Sequence, residues 1–350
     1  MPAQLSQPGR HALANAAPRS VVPPRAPLYV STGSLPPRDR AAALLREARE
    51  LYRDVSGGRV SNVYPALATV TPDLFGLAVA DTRGDVLVEG DADVAFTIMS
   101  VAKPFVFALV CAAIGPEEAR SRVGVNATGL PFDALEAIEQ GDGRTNPMVN
   151  PGAIATTGLV PGATTDERWA FVLDGLSRFA GRALALDDQV YESASASNHV
   201  NRSIANLLAS RGRIAGDPVE ALDLYTRQSS VAVTARDLAV MGATLADGGV
   251  NPVTGERVID AETCRYALAV MTTAGLYETS GDWLYDIGLP AKSGIGGGIV
   301  TVAPGKGGLG AFSPPLDEAG NSVRGQLAAR YLSRGLGLDL FASEPAGVRA

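Results

Sequence analysis

The sequence predicts an α+β fold in which one antiparallel sheet is built from both chain ends around an inserted helical lobe. Three observations carry this. Segments of strand character lie near residues 74–89, a second set lies at 291–312, and most of the chain between them follows helical periodicity. Strands separated this widely in sequence share one sheet most simply when the intervening helices form an insertion. At 350 residues, 46% hydrophobic and 19% charged, the chain is long enough to bury a full core.

The elements follow in order. Residues 1–37 are rich in Pro, Ala, Ser and Arg without apolar periodicity and read as a disordered tail. A single domain spans 38–340, with a sheet lobe of about 38–98 plus 285–340, a helical lobe of about 99–284, and a second tail at 341–350. Arg38 to Val55 is an amphipathic helix closed by Gly57-Gly58. Leu74 to Ala80 and Val86 to Glu89 flank Thr82-Arg83-Gly84-Asp85, a hairpin signal. Helices are expected at Ser100–Ile114, Glu167–Phe179, Val200–Ser210, Pro218–Arg227, Ala235–Leu245 and Ala261–Thr273. After Trp283, residues 291–302 read as one strand entered through glycines, 308–312 as another, and Val323 to Ser333 as a closing helix.

Composition narrows the function. The net charge is -7 with no Lys/Arg cluster, which argues against nucleic acid or an anionic membrane and leaves a small-molecule substrate. The longest apolar run, Pro104 to Ile114, is too short to span a bilayer, and no secretory pattern is visible, so a cytoplasmic enzyme is expected. Cys111 and Cys264 read as buried reduced thiols. His199 is the one histidine outside the N-terminal tail, so a Ser-His-Asp triad must use it, and no metal or cofactor is called for.

Chemistry concentrates in two short motifs. Ser100-Val101-Ala102-Lys103 sits where strand character gives way to an apolar helix. On a helix its ends share one face, and a lysine held neutral serves as base to a serine nucleophile. Against this stands a snorkelling surface lysine, which the apolar run after Lys103 disfavours. Lys292-Ser293-Gly294 heads the late strand. Serine hydrolases of the penicillin-binding type place K-[ST]-G on a strand beside an S-x-x-K helix, where the strand backbone offers an oxyanion donor and the lysine positive potential.

Longer segments match as well. They include Asn146-Pro147-Met148-Val149-Asn150, Tyr225-Thr226-Arg227-Gln228-Ser229-Ser230, Gly275-Leu276-Tyr277 and Gly288-Leu289-Pro290 running on through Ile299. With these, residues from about 40 to 337 resemble the bacterial-type glutaminase family. The resemblance implies a β-lactamase/transpeptidase-like fold, a serine-dependent amidohydrolase that converts glutamine to glutamate and ammonia, and a homo-oligomer. It implies Ser100 as nucleophile, Lys103 as base, Asn150, Asn201, Tyr225, Tyr277, Lys292 and the Ile295 backbone as substrate contacts with Ser100, and the two tyrosines also as proton relays. Apart from the resemblance, the tyrosines read better as core aromatics with satisfied hydroxyls, and Asn150 and Asn201 equally well as turn or helix-cap residues.

The chain departs from the family at several places. Met99 stands where the family has Gln, Val63 takes the place of a Tyr with Tyr64 one step along, and Asn126-Ala127-Thr128-Gly129 replaces Glu-Pro-Ser-Gly. Ala194 stands where the family has the Glu that grips the substrate α-ammonium. A carboxylate–ammonium hydrogen bond is worth about 1.5–3 kcal/mol, so its loss implies weak use of free glutamine unless another acid replaces it. Glu192 is nearby but needs a backbone shift. Two other functions follow from these departures: a serine amidase or esterase acting on substrates without an α-ammonium, and a non-catalytic binding homologue. A β-lactamase is a further, less favoured reading.

Overall fold

The computed structural model describes residues 33–140 and 142–343; of the expected tails, 1–37 and 341–350, residues 1–32 and 344–350 lie outside them. Just inside that boundary, Leu35 packs on an apolar layer and Pro36 is buried. Among the described residues eight strands form two sheets: β1 (Gly76–Asp81), β2 (Val86–Gly90), β3 (Phe96–Thr97), β4 (Ala185–Leu186), β5 (Val231–Val233), β6 (Ala291–Ser293), β7 (Gly298–Ala303) and β8 (Gly307–Phe312). The larger is antiparallel in the order β2-β1-β8-β7-β6, so the two chain ends meet at its centre. There Gly76 opposes Phe312 and Asp81 opposes Gly307.

All six residues of β1 are buried, because both faces of the sheet are covered. Leu77 and Val79 join Leu45, Leu309 and Leu332 in one apolar layer, beneath helices Arg38–Tyr52 and Val323–Leu336. Ala78 and Ala80 face the opposite layer with helix Ala235–Ala246. That helix lies directly on β8. A Cβ at Gly310 would stand 2.0 Å from the Ala235 carbonyl oxygen, so only glycine permits the contact. Each fully buried Leu contributes about 1.5–3 kcal/mol, and the two layers clamp the sheet from both sides.

Helix Ala102–Ile114 runs through the helical lobe and is buried from Ala102 to Cys111. An apolar surface all round suits that enclosed position, and Phe105 meets Phe179 edge-on at 5.0 Å. The expected helix start at Ser100 is a 3-10 turn, Met99–Val101, ahead of the α-helix. The single strand expected over 291–302 is instead the β6–β7 hairpin. Gly294 N–H donates to Gly298 and Gly297 N–H donates to Gly294, both at 2.9 Å, which folds the glycines into a turn. The small β3-β5-β4 sheet and helices Asn150–Thr157 and Asp188–Ser197 are additional to the expected elements. Among the described residues no helix is long and apolar enough to cross a membrane.

Candidate active site

Ser100 heads the buried helix and is 8% exposed. Met99, immediately before it, has φ of 48°, a left-handed conformation that a non-glycine residue adopts at a cost of about 1–3 kcal/mol. Burial of the Met99 side chain against Leu67 and Val190 holds it there. The hydroxyls of Tyr225 and Tyr277 lie near that of Ser100, which draws the pKa of each tyrosine down against the effect of burial. Tyr277 also has a left-handed backbone, φ 59°, secured by Ser280, whose hydroxyl donates to the Tyr277 carbonyl at 2.7 Å.

Lys103 follows one helical turn later and is only 1% exposed, which removes the snorkelling alternative. Its ammonium donates to Asn150 Oδ1 at 2.6 Å and to the Met148 carbonyl at 3.4 Å. Burial brings its pKa down to about 7, while the charge of Asp133 pulls the other way. Asn150 Oδ1 also accepts from Tyr225 OH at 3.0 Å, so one amide oxygen joins the lysine to the tyrosine. Asn150 in turn donates to Asn201 at 2.9 Å, Asn201 to Asn198 at 2.6 Å, and Asn198 to Thr226 at 3.1 Å. Every bond in this relay runs in one direction, which orients each amide. Burial pushes Tyr225 well above the ordinary tyrosine range and Tyr277 up to about 12.

The β6–β7 turn closes the other side. A Cβ at Gly294 would lie 3.0 Å from the Ile98 carbonyl oxygen and 3.2 Å from Ser100 N, so the turn abuts the nucleophile backbone. The next N–H, of Ile295, donates to no acceptor among the described residues. Lys292 is fully buried and lies 3.8 Å from the Tyr277 ring centroid, its ammonium donating to the Ser293 carbonyl at 2.7 Å. Burial first, and the Lys103 charge second, depress its pKa well below the lysine range. Lys292, expected as a substrate contact, packs against the Tyr277 ring and is not in the wall of the cavity at Ser100.

A cavity of about 180 Å³ opens onto Ser100, with Asn150, Asn201, Tyr225 and Ile295 in its wall. The expected substrate contacts therefore line one cavity, apart from Tyr277 and Lys292. Neither asparagine is a cap or a turn: each lies within a helix, Asn150–Thr157 or His199–Ser210. His199 reaches the rim, but its Nδ1 lies 3.3 Å from the Arg202 guanidinium and no carboxylate among the described residues supports it, so they assemble no histidine triad. The departures from the family divide. Val63, 53% exposed, and Tyr64 beside it both line the cavity, and Tyr64 reaches Asn198 at 3.5 Å. Asn126 lies outside the cavity, its carbonyl accepting from Asn146 at 2.9 Å. Ala194 is buried, Glu192 is exposed, and neither lines the cavity. Phe132, Asp133 and Asn198 are wall residues that sequence reasoning missed. The first two fall in a short stretch without periodicity, where only the later fold brings them to Ser100.

A two-faced antiparallel sheet with an inserted helical lobe, a serine heading a buried helix and Lys-Ser-Gly on the adjoining strand define the β-lactamase-like fold of serine-dependent hydrolases. Within that class the assignment is specific. The glutaminase family model matches residues 58–341, and the chain belongs to that family. It is 65% identical to glutaminase 2 of Yersinia pestis over 318 residues, 91% of this chain and 94% of that protein. It is 49% identical to the glutaminase of Brucella canis, covering 87% of this chain and 96% of that one. Among solved structures, one described as probable glutaminase ybaS matches with a TM-score of 0.86 at 42% identity, over 87% of this chain and 99% of that chain. A Bacillus glutaminase matches with a TM-score of 0.78 at 30% identity, over 86% and 99%.

Proposed function

We propose that the chain hydrolyses L-glutamine to L-glutamate and ammonia through an acyl-enzyme on Ser100. The observation that carries this is Lys103, fully enclosed one helical turn beyond the serine and held by Asn150. Ser100 Oγ attacks the carboxamide carbon, and its proton passes to neutral Lys103 through the hydroxyl of Tyr225, which shares Asn150 Oδ1 with the lysine. Both tyrosines keep their protons at neutral pH, so they serve as relays rather than as anionic bases. The protonated lysine returns a proton by the same route to the departing nitrogen, and ammonia leaves. Negative charge on the carbonyl oxygen is taken up by the free N–H of Ile295 and that of Ser100, which the glycine turn sets side by side. Water then enters along the vacated path and hydrolyses the ester to release glutamate.

The same reading includes a homo-oligomer, the assembly that the family resemblance implies, and a cytoplasmic enzyme. Ammonia release from L-glutamine by the wild type and by Ser100→Ala tests the central claim. The variant is expected to lose at least about a thousandfold in kcat. A folded Ser100→Ala protein with wild-type turnover overturns the nucleophile.

A further inference from the structure

Ala194 stands where the family resemblance places the acid for the substrate α-ammonium, so a free amino acid must find its counter-charge elsewhere. The cavity supplies one carboxylate. Among the described residues Asp133 is the single acidic side chain in the cavity wall, across from Ser100, Asn150 and Asn201. It is half-buried and takes no hydrogen bond or ion pair from the rest of the described chain. Its neighbour fixes its position. The Phe132 ring packs on Tyr277 with centroids 4.8 Å apart, and the Phe132 carbonyl accepts the Asn150 backbone N–H at 2.7 Å. The segment is thus tied to both halves of the catalytic arrangement while its carboxylate is left for a cation.

We infer that Asp133 binds the α-ammonium of the amino-acid substrate, in place of an acid at position 194. This rests on the amidohydrolase reading of Ser100 and deepens it: the substrate class is amino-acid side-chain amides carrying a free α-ammonium. An electrostatic service to Lys103 does not account for the residue. In the empty site its charge favours the protonated lysine, which works against a base. A bound ammonium offsets that charge, so arrival of the correct substrate also eases Lys103 toward its neutral form. Asp133 lies close enough for this, since its charge reaches Tyr64 and Tyr277 as well.

The test compares wild type and Asp133→Asn on L-glutamine and on glutaramate, the same amide without the α-amino group. Where glutaramate turns over too slowly, its competitive inhibition constant is used. The expected result is a KM for L-glutamine raised about 10- to 150-fold, the worth of one charge-assisted hydrogen bond, with kcat changed by less than about threefold. Glutaramate affinity stays within about threefold, so the preference for L-glutamine collapses, and Asp133→Glu restores part of it. Because the readout is a ratio between substrates, partial misfolding does not mimic it. An unchanged KM for L-glutamine, or an equal loss on both substrates, overturns the inference while leaving the Ser100 reading intact. A wild type that releases no ammonia from L-glutamine, or is matched by Ser100→Ala, overturns the functional reading itself.

Discussion

Titration between pH 5.5 and 8.5 shows whether Lys103 is the base. An ordinary lysine, with pKa near 10.4, is neutral in only about one molecule in a few thousand at pH 7. Burial brings Lys103 to about 7 against the opposing charge of Asp133, so roughly half the population carries a free amine. The gain in competent base is on the order of a thousandfold. kcat/KM for ammonia release, read from initial rates, should therefore climb about tenfold per unit at acid pH and level off above about pH 8. Activity returns when the enzyme is brought back to pH 8. The same burial has a stability signature whose sign follows from linkage. The folded pKa is depressed, so between about pH 7 and 10.5 the unfolded chain binds a proton that the folded chain has released, and stability rises with pH through that window. Lys103→Met removes the contribution. Between pH 7 and 9 the wild type should gain up to roughly 1.4 kcal/mol per unit more than the variant in urea unfolding. A flat rate profile from pH 6 to 8 in folded enzyme, or parallel stability slopes for the two proteins, refutes the assignment.

Two substitutions examine the frame around the serine. Asn150→Leu removes the oxygen shared by Lys103 and Tyr225 and strands the Asn201 carbonyl, so kcat should fall about 100-fold or more and stability by about 1–3 kcal/mol. Wild-type kcat in this variant would mean that Asn150 does not align Tyr225 and Lys103 for the proton transfer. In Gly296→Ala the new Cβ would stand 2.5 Å from the Thr97 carbonyl oxygen, forcing the turn that carries Ile295 away from Ser100. Steady-state rates should show kcat lowered about tenfold or more with a smaller change in KM, and an unaltered kcat would detach the turn from the chemistry.

How much of this was legible in the sequence depends on how far apart the partners lie. Ser100 and Lys103 share one turn of helix, and Lys292-Ser293-Gly294 is contiguous, so spacing alone exposed both. The long helices were visible in their periodicity, and the sheet in strands at both chain ends. Strands of two or three residues, such as β3 and β5, carry too few positions for an alternating pattern. Helix Asn150–Thr157 opens on Asn150-Pro151-Gly152, which reads as a loop until packing encloses it. The left-handed backbone at Met99 has no local signal at all, because tertiary burial of its side chain imposes it. That Lys292 packs on the Tyr277 ring was not legible, since a strand position fixes the backbone but not which layer the side chain occupies. Asp133 has no motif around it, and only the fold makes its carboxylate a neighbour of Asn150, Asn201 and Tyr225.

The meeting of both chain ends at β1 and β8 sets the order in which activity is acquired during synthesis. A nascent chain that has just emerged through residue 290 already holds Ser100, Lys103 and the asparagine relay, yet lacks Ser293, Ile295 and the strand that covers β1. Until residues 307–312 leave the ribosome, the apolar faces of Leu77 and Val79 have no partner on that edge, which makes the waiting chain a client for chaperones. Docking of the last hairpin seals the sheet and supplies the Ile295 N–H in one event. On the mechanism proposed for Ser100, a chain that lacks these final strands is therefore expected to release no ammonia at all rather than to do so slowly.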